Sequence, residues 1–196
     1  PLARAVGLGL RSARGDLSDA VLIAALADAD EPVLRAALWA CERVPLAARA
    51  PFLARVRERG LTHPSPALLW SALRLLILSG DGELWKEASS GALAERLGPR
   101  VAELFVLSGA PADWPRLEAL LGRLRPTRAL LSAVARFGHP FAAPWLIQQL
   151  ADEALADHAA AALSLLFGPI VAAPSILDAA AWRGTVASLA ADPGQR

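Results

Sequence analysis

The chain has 196 residues, 55% of them hydrophobic, with 20 basic and 19 acidic residues giving a formal net charge of +1. Charges of both signs are interspersed, which argues against a dedicated nucleic-acid surface or a polybasic membrane face. The single cysteine, Cys41, excludes an intrachain disulfide, and its place in an apolar helical run predicts a buried structural thiol.

Six helical hairpins follow in order. The first, 2–27, opens with a helix from Leu2 to Ser12, turns at Gly15-Asp16 and restarts at Ser18-Asp19, whose side chains suit free first-turn N–H groups. The second, 31–59, pairs a helix from Glu31 to Arg43 with one from Leu46 to Arg59. Phe52, Leu53 and Val56 are read as inward-facing, and Arg49, Arg55, Arg57, Glu58 and Arg59 as solvated. The third, 65–93, is the most apolar: Leu68, Leu69, Ala72, Leu73, Leu75, Leu76 and Leu78 leave almost no polar side, which predicts cover on more than one face. Its second helix, Glu83 to Leu93, is interrupted by Ser89-Ser90-Gly91.

The fourth hairpin, 97–124, has helices from Pro99 to Ser108 and from Asp113 to Leu124, the latter with a Leu117/Leu120/Leu121/Leu124 stripe. The fifth, 126–151, is the clearest. Pro126 can occupy a first helical turn, Ala129, Leu130, Ala133, Val134 and Phe137 share a stripe, and Gly138 stops the helix. His139-Pro140 turns the chain into a second helix with Ala143, Leu146, Ile147 and Leu150 on one side. The sixth, 153–190, runs from Glu153 to Phe167 and from Ile176 to Leu189, leaving 191–196 as a loose tail. No strand-like alternation is present, so the fold class is all-α.

Glycines mark a period. Gly80, Gly109, Gly138 and Gly168 lie 29, 29 and 30 residues apart, and each ends an apolar run. Pro32, Pro66, Pro99 and Pro126 open first helices. One hairpin cannot bury its own apolar faces, so repetition at this period predicts a stacked array, an α-solenoid or superhelix spanning 1–190 as one domain. The irregular step falls in the loop 60–66.

Mean hydropathy is +0.38, high for a water-soluble chain, and alanine supplies much of it. The longest uncharged run, Ala159 to Leu177, is broken by Gly168-Pro169, and its helical part is far short of the ~20 residues a span requires, so no membrane span is expected. Tyr and Met are absent and Lys86 is the only lysine, a bias of GC-rich bacterial genomes. Pro at position 1 and the lack of Met lead to the expectation of further chain before Pro1. No secretory signal is visible, and a cytoplasmic location is expected.

The six tryptophans are the sharpest compositional signal. Trp85, Trp114 and Trp145 fall near the starts of second helices, with Arg116, Gln148 and Gln149 beside them. They are either a row of aromatic anchors for a partner or staples packing each hairpin under its loop. Trp39 and Trp70, inside first helices, read as core. His63, His139 and His158 stand in no metal-binding spacing, the glycines match no phosphate-binding fingerprint, and no nucleophile elbow is present. The acidic groups Asp28/Asp30/Glu31 and Asp152/Glu153/Asp157 sit at helix starts, where negative charge offsets the dipole. No catalytic residue, metal or cofactor is expected.

Pro32-Val-Leu-Arg35-Ala-Ala37 and Pro126-Thr-Arg128-Ala-Leu-Leu-Ser-Ala133, within hairpins of about 30 residues, resemble HEAT-like repeats, and the resemblance covers nearly the whole chain. The stretch from Gly138 through Pro140, Pro144, Trp145 and Ile147, with Ala159 to Gly168, is also similar to uncharacterised bacterial HEAT-repeat proteins found near type VI secretion genes. The resemblance implies a non-enzymatic protein-binding scaffold linked to bacterial secretion, with second helices lining the inner curve. Its partner would be another protein, the remainder of its own chain, or a second copy meeting it at the apolar ends Leu2–Leu10 and Ile176–Leu189. A HEAT-like DNA glycosylase is the alternative, with Trp114, Arg116 and Glu118 imitating its groove and Arg123 and Arg125 beside them. The slight basic balance makes nucleic acid the less expected partner.

Overall fold

A computed structural model describes residues 1–170 and 175–191. All regular structure among them is helical, with no strand. Of the expected loose tail, 191–196, Ala191 ends the last helix and 192–196 lie outside the described residues, as do 171–174 of the apolar run. The chain forms two compact units, Pro1–Leu97 and Gly98–Arg196.

In the first unit, α1 (Leu2–Arg14), α3 (Glu31–Arg43) and α5 (Pro66–Leu78) pack in succession, α1 on α3 and α3 on α5. Between them run α2 (Asp19–Leu26), which packs on α3, and α4 (Ala50–Arg55). Then follow α6 (Leu84–Ala88) and α7 (Gly91–Leu97). Arg4 ties α1 to the loop after α2 through Asp28 and Asp30, so these carboxylates serve a tertiary ion-pair cluster as well as a helix start. The interruption at Ser89-Ser90 is real: the segment is two short helices, and the second continues to Leu97.

α5 is buried along Leu68, Leu69, Ala72, Leu73, Leu75, Leu76 and Ile77. Each fully buried leucine contributes roughly 1.5–3 kcal/mol. Leu78 departs from the expectation: it lies in the last turn and is 47% exposed. The helix after Leu46 is also not continuous. A 3₁₀ turn, Leu46–Ala48, leads into α4, and α4 passes into a π-type turn, Val56–Gly60. This turn packs on α5. A Cβ placed on Gly60 would stand 2.2 Å from Cβ of Ala72, so only glycine allows the approach.

Phe52 and Val56 are fully buried and Leu53 is half-buried. Arg49 is not solvated as expected. Its Nε donates to the Val44 carbonyl (2.9 Å), its Nη2 to the Glu42 carbonyl (2.7 Å) and its Nη1 to Ser79 Oγ (3.4 Å). A guanidinium fork here satisfies carbonyls that the end of α3 leaves without helical partners. Arg59 is likewise half-buried. Arg96 of α7 donates to the carbonyls of Leu61 (3.0 Å) and His63, fastening the loop where the repeat spacing is irregular.

In the second unit, a 3₁₀ turn, Gly98–Arg100, enters α8 (Val101–Ser108), and α9 (Trp114–Leu121) follows. Then come α10 (Arg128–Phe137), α11 (Ala143–Gln148), α12 (Ala156–Phe167) and α13 (Ala179–Ala191). α10 packs against both α8 and α12, and α11 against α12 and α13. α10 begins two residues later than read from Pro126: Thr127 is the cap, its Oγ1 accepting from the Leu130 N–H at 3.2 Å. Leu130, Ala133 and Val134 are buried as expected, joined by Leu131 and Ala135, whereas Ala129 is exposed and Phe137 half-buried. Gly138 ends the helix in the left-handed region at φ 79°. Gly109 ends α8 in an extended conformation, and a Cβ there would meet the Phe105 carbonyl at 2.7 Å.

The four expected residues are all buried, Ala143, Leu146 and Ile147 on α11 and Leu150 in the 3₁₀ turn Gln149–Ala151 that follows it. α13 starts at Ala179, because Asp178 Oδ1 accepts the Ala180 N–H at 2.7 Å. Its Trp182 is fully buried and donates through Nε1 to the Ile176 carbonyl at 2.8 Å.

Candidate functional site

Two surfaces stand out, one in each unit. In the first, the α1 stripe Leu2, Val6 and Leu10 recurs every four residues and points outward, at 71%, 55% and 53% exposure. Only Leu8 of α1 is buried. Alongside, Trp39 of α3 is 44% exposed, and the Arg43 guanidinium lies 4.8 Å from its ring centroid. Trp39 is therefore not the core residue that its helix position indicates. Leu2, Ala5, Pro32, Ala36 and Trp39 line an open cleft of about 720 Å³ between α1 and α3. Glu31 and Arg35 pair at its edge. The Glu31 carboxyl is held below its ordinary range, first by the Arg35 hydrogen bond and further by Ser65.

In the second unit, an open groove of about 500 Å³ is lined by Trp114, Pro115, Glu118, Pro140, Phe141, Pro144 and Val186. The loop after α10 builds it. His139 Nδ1 accepts the Phe141 N–H (3.4 Å) and so folds the 3₁₀ turn Pro140–Ala142. The His139 ring stacks on Trp114 with centroids 5.1 Å apart and planes 5° apart. Phe141 meets His139 edge-on at 5.1 Å and is itself 69% exposed. Trp114 is 4% exposed, and its indole N–H has no acceptor among the described residues. The exposed Glu118 carboxylate has no ion-pair partner among the described residues.

The residues nominated from sequence are sorted differently by burial. Trp85 and Trp114 are each only 4% exposed, so their rings belong to the packing of their units and present little area to a partner. Arg116 pairs with Asp113 Oδ1 at 3.4 Å, and Asp113 Oδ2 in turn accepts the Ala110 N–H at 2.9 Å, so this guanidinium is engaged at the start of α9. Trp145 and Gln149 are half-buried, and the Gln149 amide donates to the Trp145 carbonyl at 3.1 Å. Gln148 is exposed, but neither it nor Trp145 lines the groove. Phe141 and the three prolines of the groove are not among the residues nominated from sequence, although Pro-Phe-x-x-Pro after a stop glycine is a visible signal of an aromatic held on a turn.

No group of three or more His, Cys, Asp or Glu among the described residues is arranged to hold a metal. No helix among them is long and apolar enough to cross a membrane. Cys41 is buried, and desolvation pushes its thiol up to about 12, so it is a poor nucleophile. No protein family, no curated protein and no solved structure matches the chain.

Proposed function

We propose that the chain is a non-enzymatic, HEAT-like scaffold that binds another protein or a second copy of itself. The observation that carries this reading is the outward stripe Leu2, Val6 and Leu10 with Trp39 beside it. A helix of a globular unit ordinarily turns its apolar stripe inward, and contiguous exposed apolar patches mark interaction sites. The succession α1, α3, α5 in one unit and α8, α10, α12 in the other is compatible with a stacked-hairpin array. The link to bacterial secretion and a cytoplasmic setting rest on sequence resemblance and composition.

Sedimentation velocity of the chain over a concentration series, with hydrophobic-dye binding, tests the reading. Self-association or strong dye binding, both reduced by Val6→Glu and Trp39→Glu, is the expected result. A monomer that binds no dye would remove the basis for a scaffold at this face.

A nucleic-acid reading draws on a different observation. Arg123, Arg125, Arg128 and Arg136 are exposed and have no carboxylate partner among the described residues. Arg128 and Arg136 share one face of α10 about 12 Å apart along its axis. The glycosylase-like version is disfavoured, since Trp114 is buried and Arg116 is engaged. Salt-sensitive retardation of DNA, lost in Arg128→Glu/Arg136→Glu, would favour this reading over the scaffold.

A further inference from the structure

We infer that the groove between α9 and the turn after α10 is a docking site for a proline-rich peptide in the polyproline II conformation carrying an arginine or lysine. This goes beyond the scaffold reading, which stands on a different face in the other unit.

Three features of the groove select that chemistry. The first is the wall. Polyproline II ligands have no internal hydrogen bonds and a preformed backbone, and they dock on surfaces built from rigid aromatic and prolyl rings. Pro115, Pro140 and Pro144 supply rigid ridges, and Phe141 lines the groove with them, 69% of its surface free. The ring does not hang loosely, because it abuts His139, which is stacked in turn on the buried Trp114. Such an aromatic offers contact area at low cost in side-chain entropy.

The second feature is the donor. A polyproline backbone presents carbonyl oxygens and few N–H groups, so its receptor must donate hydrogen bonds. The Trp114 ring lines the groove, and its indole N–H has no acceptor among the described residues. The Trp182 indole N–H, by contrast, is taken by the Ile176 carbonyl.

The third feature is charge. Glu118, one helical turn beyond Trp114, lines the same groove, and its carboxylate has no cation partner among the described residues. The nearest arginine in sequence, Arg116, is taken up by Asp113. A lone carboxylate beside an apolar groove favours a ligand with a basic residue and disfavours nucleic acid or an acidic peptide. The volume of about 500 Å³ suits a few residues of extended peptide.

The test is fluorescence anisotropy with the whole chain and a labelled synthetic peptide, Arg-Ala-Leu-Pro-Pro-Leu-Pro. Micromolar binding is expected. Phe141→Ala should weaken it by at least about tenfold. Glu118→Gln should weaken it by a few-fold and abolish the preference for this peptide over its Arg→Gln analogue. Both side chains are exposed, so far-UV circular dichroism of the variants should match the wild type. Replacing the peptide prolines by alanine should remove binding. No binding at millimolar peptide, equal binding of the alanine peptide, or an unchanged affinity in Phe141→Ala would each overturn the proposal. Tighter binding of a polyglutamate peptide or of single-stranded DNA at this groove would overturn it too. The scaffold reading survives all of these outcomes, since its own test reads Val6 and Trp39.

Discussion

Gly60 gives the sharpest quantitative prediction. Its missing side chain lets the Val56–Gly60 turn lie against α5, where a new Cβ would stand 2.2 Å from Cβ of Ala72. Carbon atoms in good contact sit about 3.5–4.0 Å apart, so Gly60→Ala requires the two elements to separate by roughly 1.3–1.8 Å. Ala72 is fully buried and has nowhere to retreat. Overpacking of this kind costs about 1–3 kcal/mol, offset by about 0.4–1 kcal/mol from a stiffer unfolded chain. The expected net destabilisation is about 1–2 kcal/mol, or a fall in Tm of roughly 2–8 °C for a chain of this length. Ala72→Gly alone should cost about 1 kcal/mol or somewhat more, from helix propensity and a lost buried methyl. The double variant separates clash from propensity. With the Ala72 methyl gone, the new Cβ meets Cα of residue 72 at 3.6 Å, an ordinary contact. Gly60→Ala/Ala72→Gly should therefore be more stable than the sum of the single changes by more than about 0.5 kcal/mol. Urea unfolding at 25 °C followed by circular dichroism measures all three. Gly60→Ala within 0.5 kcal/mol of wild type, or strict additivity, would show that the close approach of turn and helix is not as described.

Further predictions follow from individual contacts. Trp182→Phe removes the 2.8 Å bond to the Ile176 carbonyl and should cost about 1–3 kcal/mol in urea unfolding, whereas Trp182→Ala should cost about 3–5 kcal/mol; a phenylalanine variant as stable as wild type would deny the bond any role. Arg49→Ala should destabilise by about 1–2 kcal/mol, and Arg49→Lys should recover little of it, because a point charge cannot span two carbonyls as the fork does; full recovery by lysine would refute the capping role. Cys41 should resist a thiol reagent at pH 8 until the chain is unfolded, and rapid labelling of the native protein would contradict its burial. The sign of its pH effect is set by a folded value raised from 9.0 to about 12, so its contribution to stability is complete below pH 9 and is lost progressively from there towards 12. Cys41→Ala should flatten that part of the stability profile.

The helices were legible wherever local chemistry decides them. α3 runs over the predicted Glu31–Arg43, and Gly138 stops α10 at a positive φ. Ala143, Leu146 and Ile147 of α11, and Leu150 in the 3₁₀ turn after it, are buried as predicted, because residues three and four apart fall on one side of a helix. The departures lie where tertiary contacts outrank local preference. The 46–59 segment reads as one helix, yet it is pulled into a 3₁₀ turn, a short helix and a π-type turn so that Gly60 can meet Ala72. Arg49 looks like a solvent-facing residue in one dimension. Only the folded chain brings it to carbonyls five and seven residues back, at the end of α3. Gly109 belongs to the same regular spacing as Gly138 but serves close packing against Phe105 and Phe137 rather than a left-handed turn.

The functional residues were harder to read, and the tryptophans show why. Position along a helix says where a ring starts, while its use depends on how much surface the neighbours leave uncovered. Trp85 and Trp114 stand at helix starts and are core, whereas Trp39 stands mid-helix and is 44% open beside Arg43. α1 explains the reversal. Its inward face offers Ala5, Gly7, Leu8 and Ser12, small for the most part, while its three larger outward residues, Leu2, Val6 and Leu10, leave the apolar stripe on the far side. The neighbouring flank of α3 is left uncovered, and Trp39 stays open there. In the second unit the logic inverts. The indole that looked like a binding residue is spent on packing under His139, and the exposed ring is Phe141, carried on a turn whose shape that stack fixes. Trp114 thus serves the groove chiefly by holding its wall, which is why Phe141→Ala is expected to reduce binding while leaving the fold intact, and Trp114→Ala to damage both together.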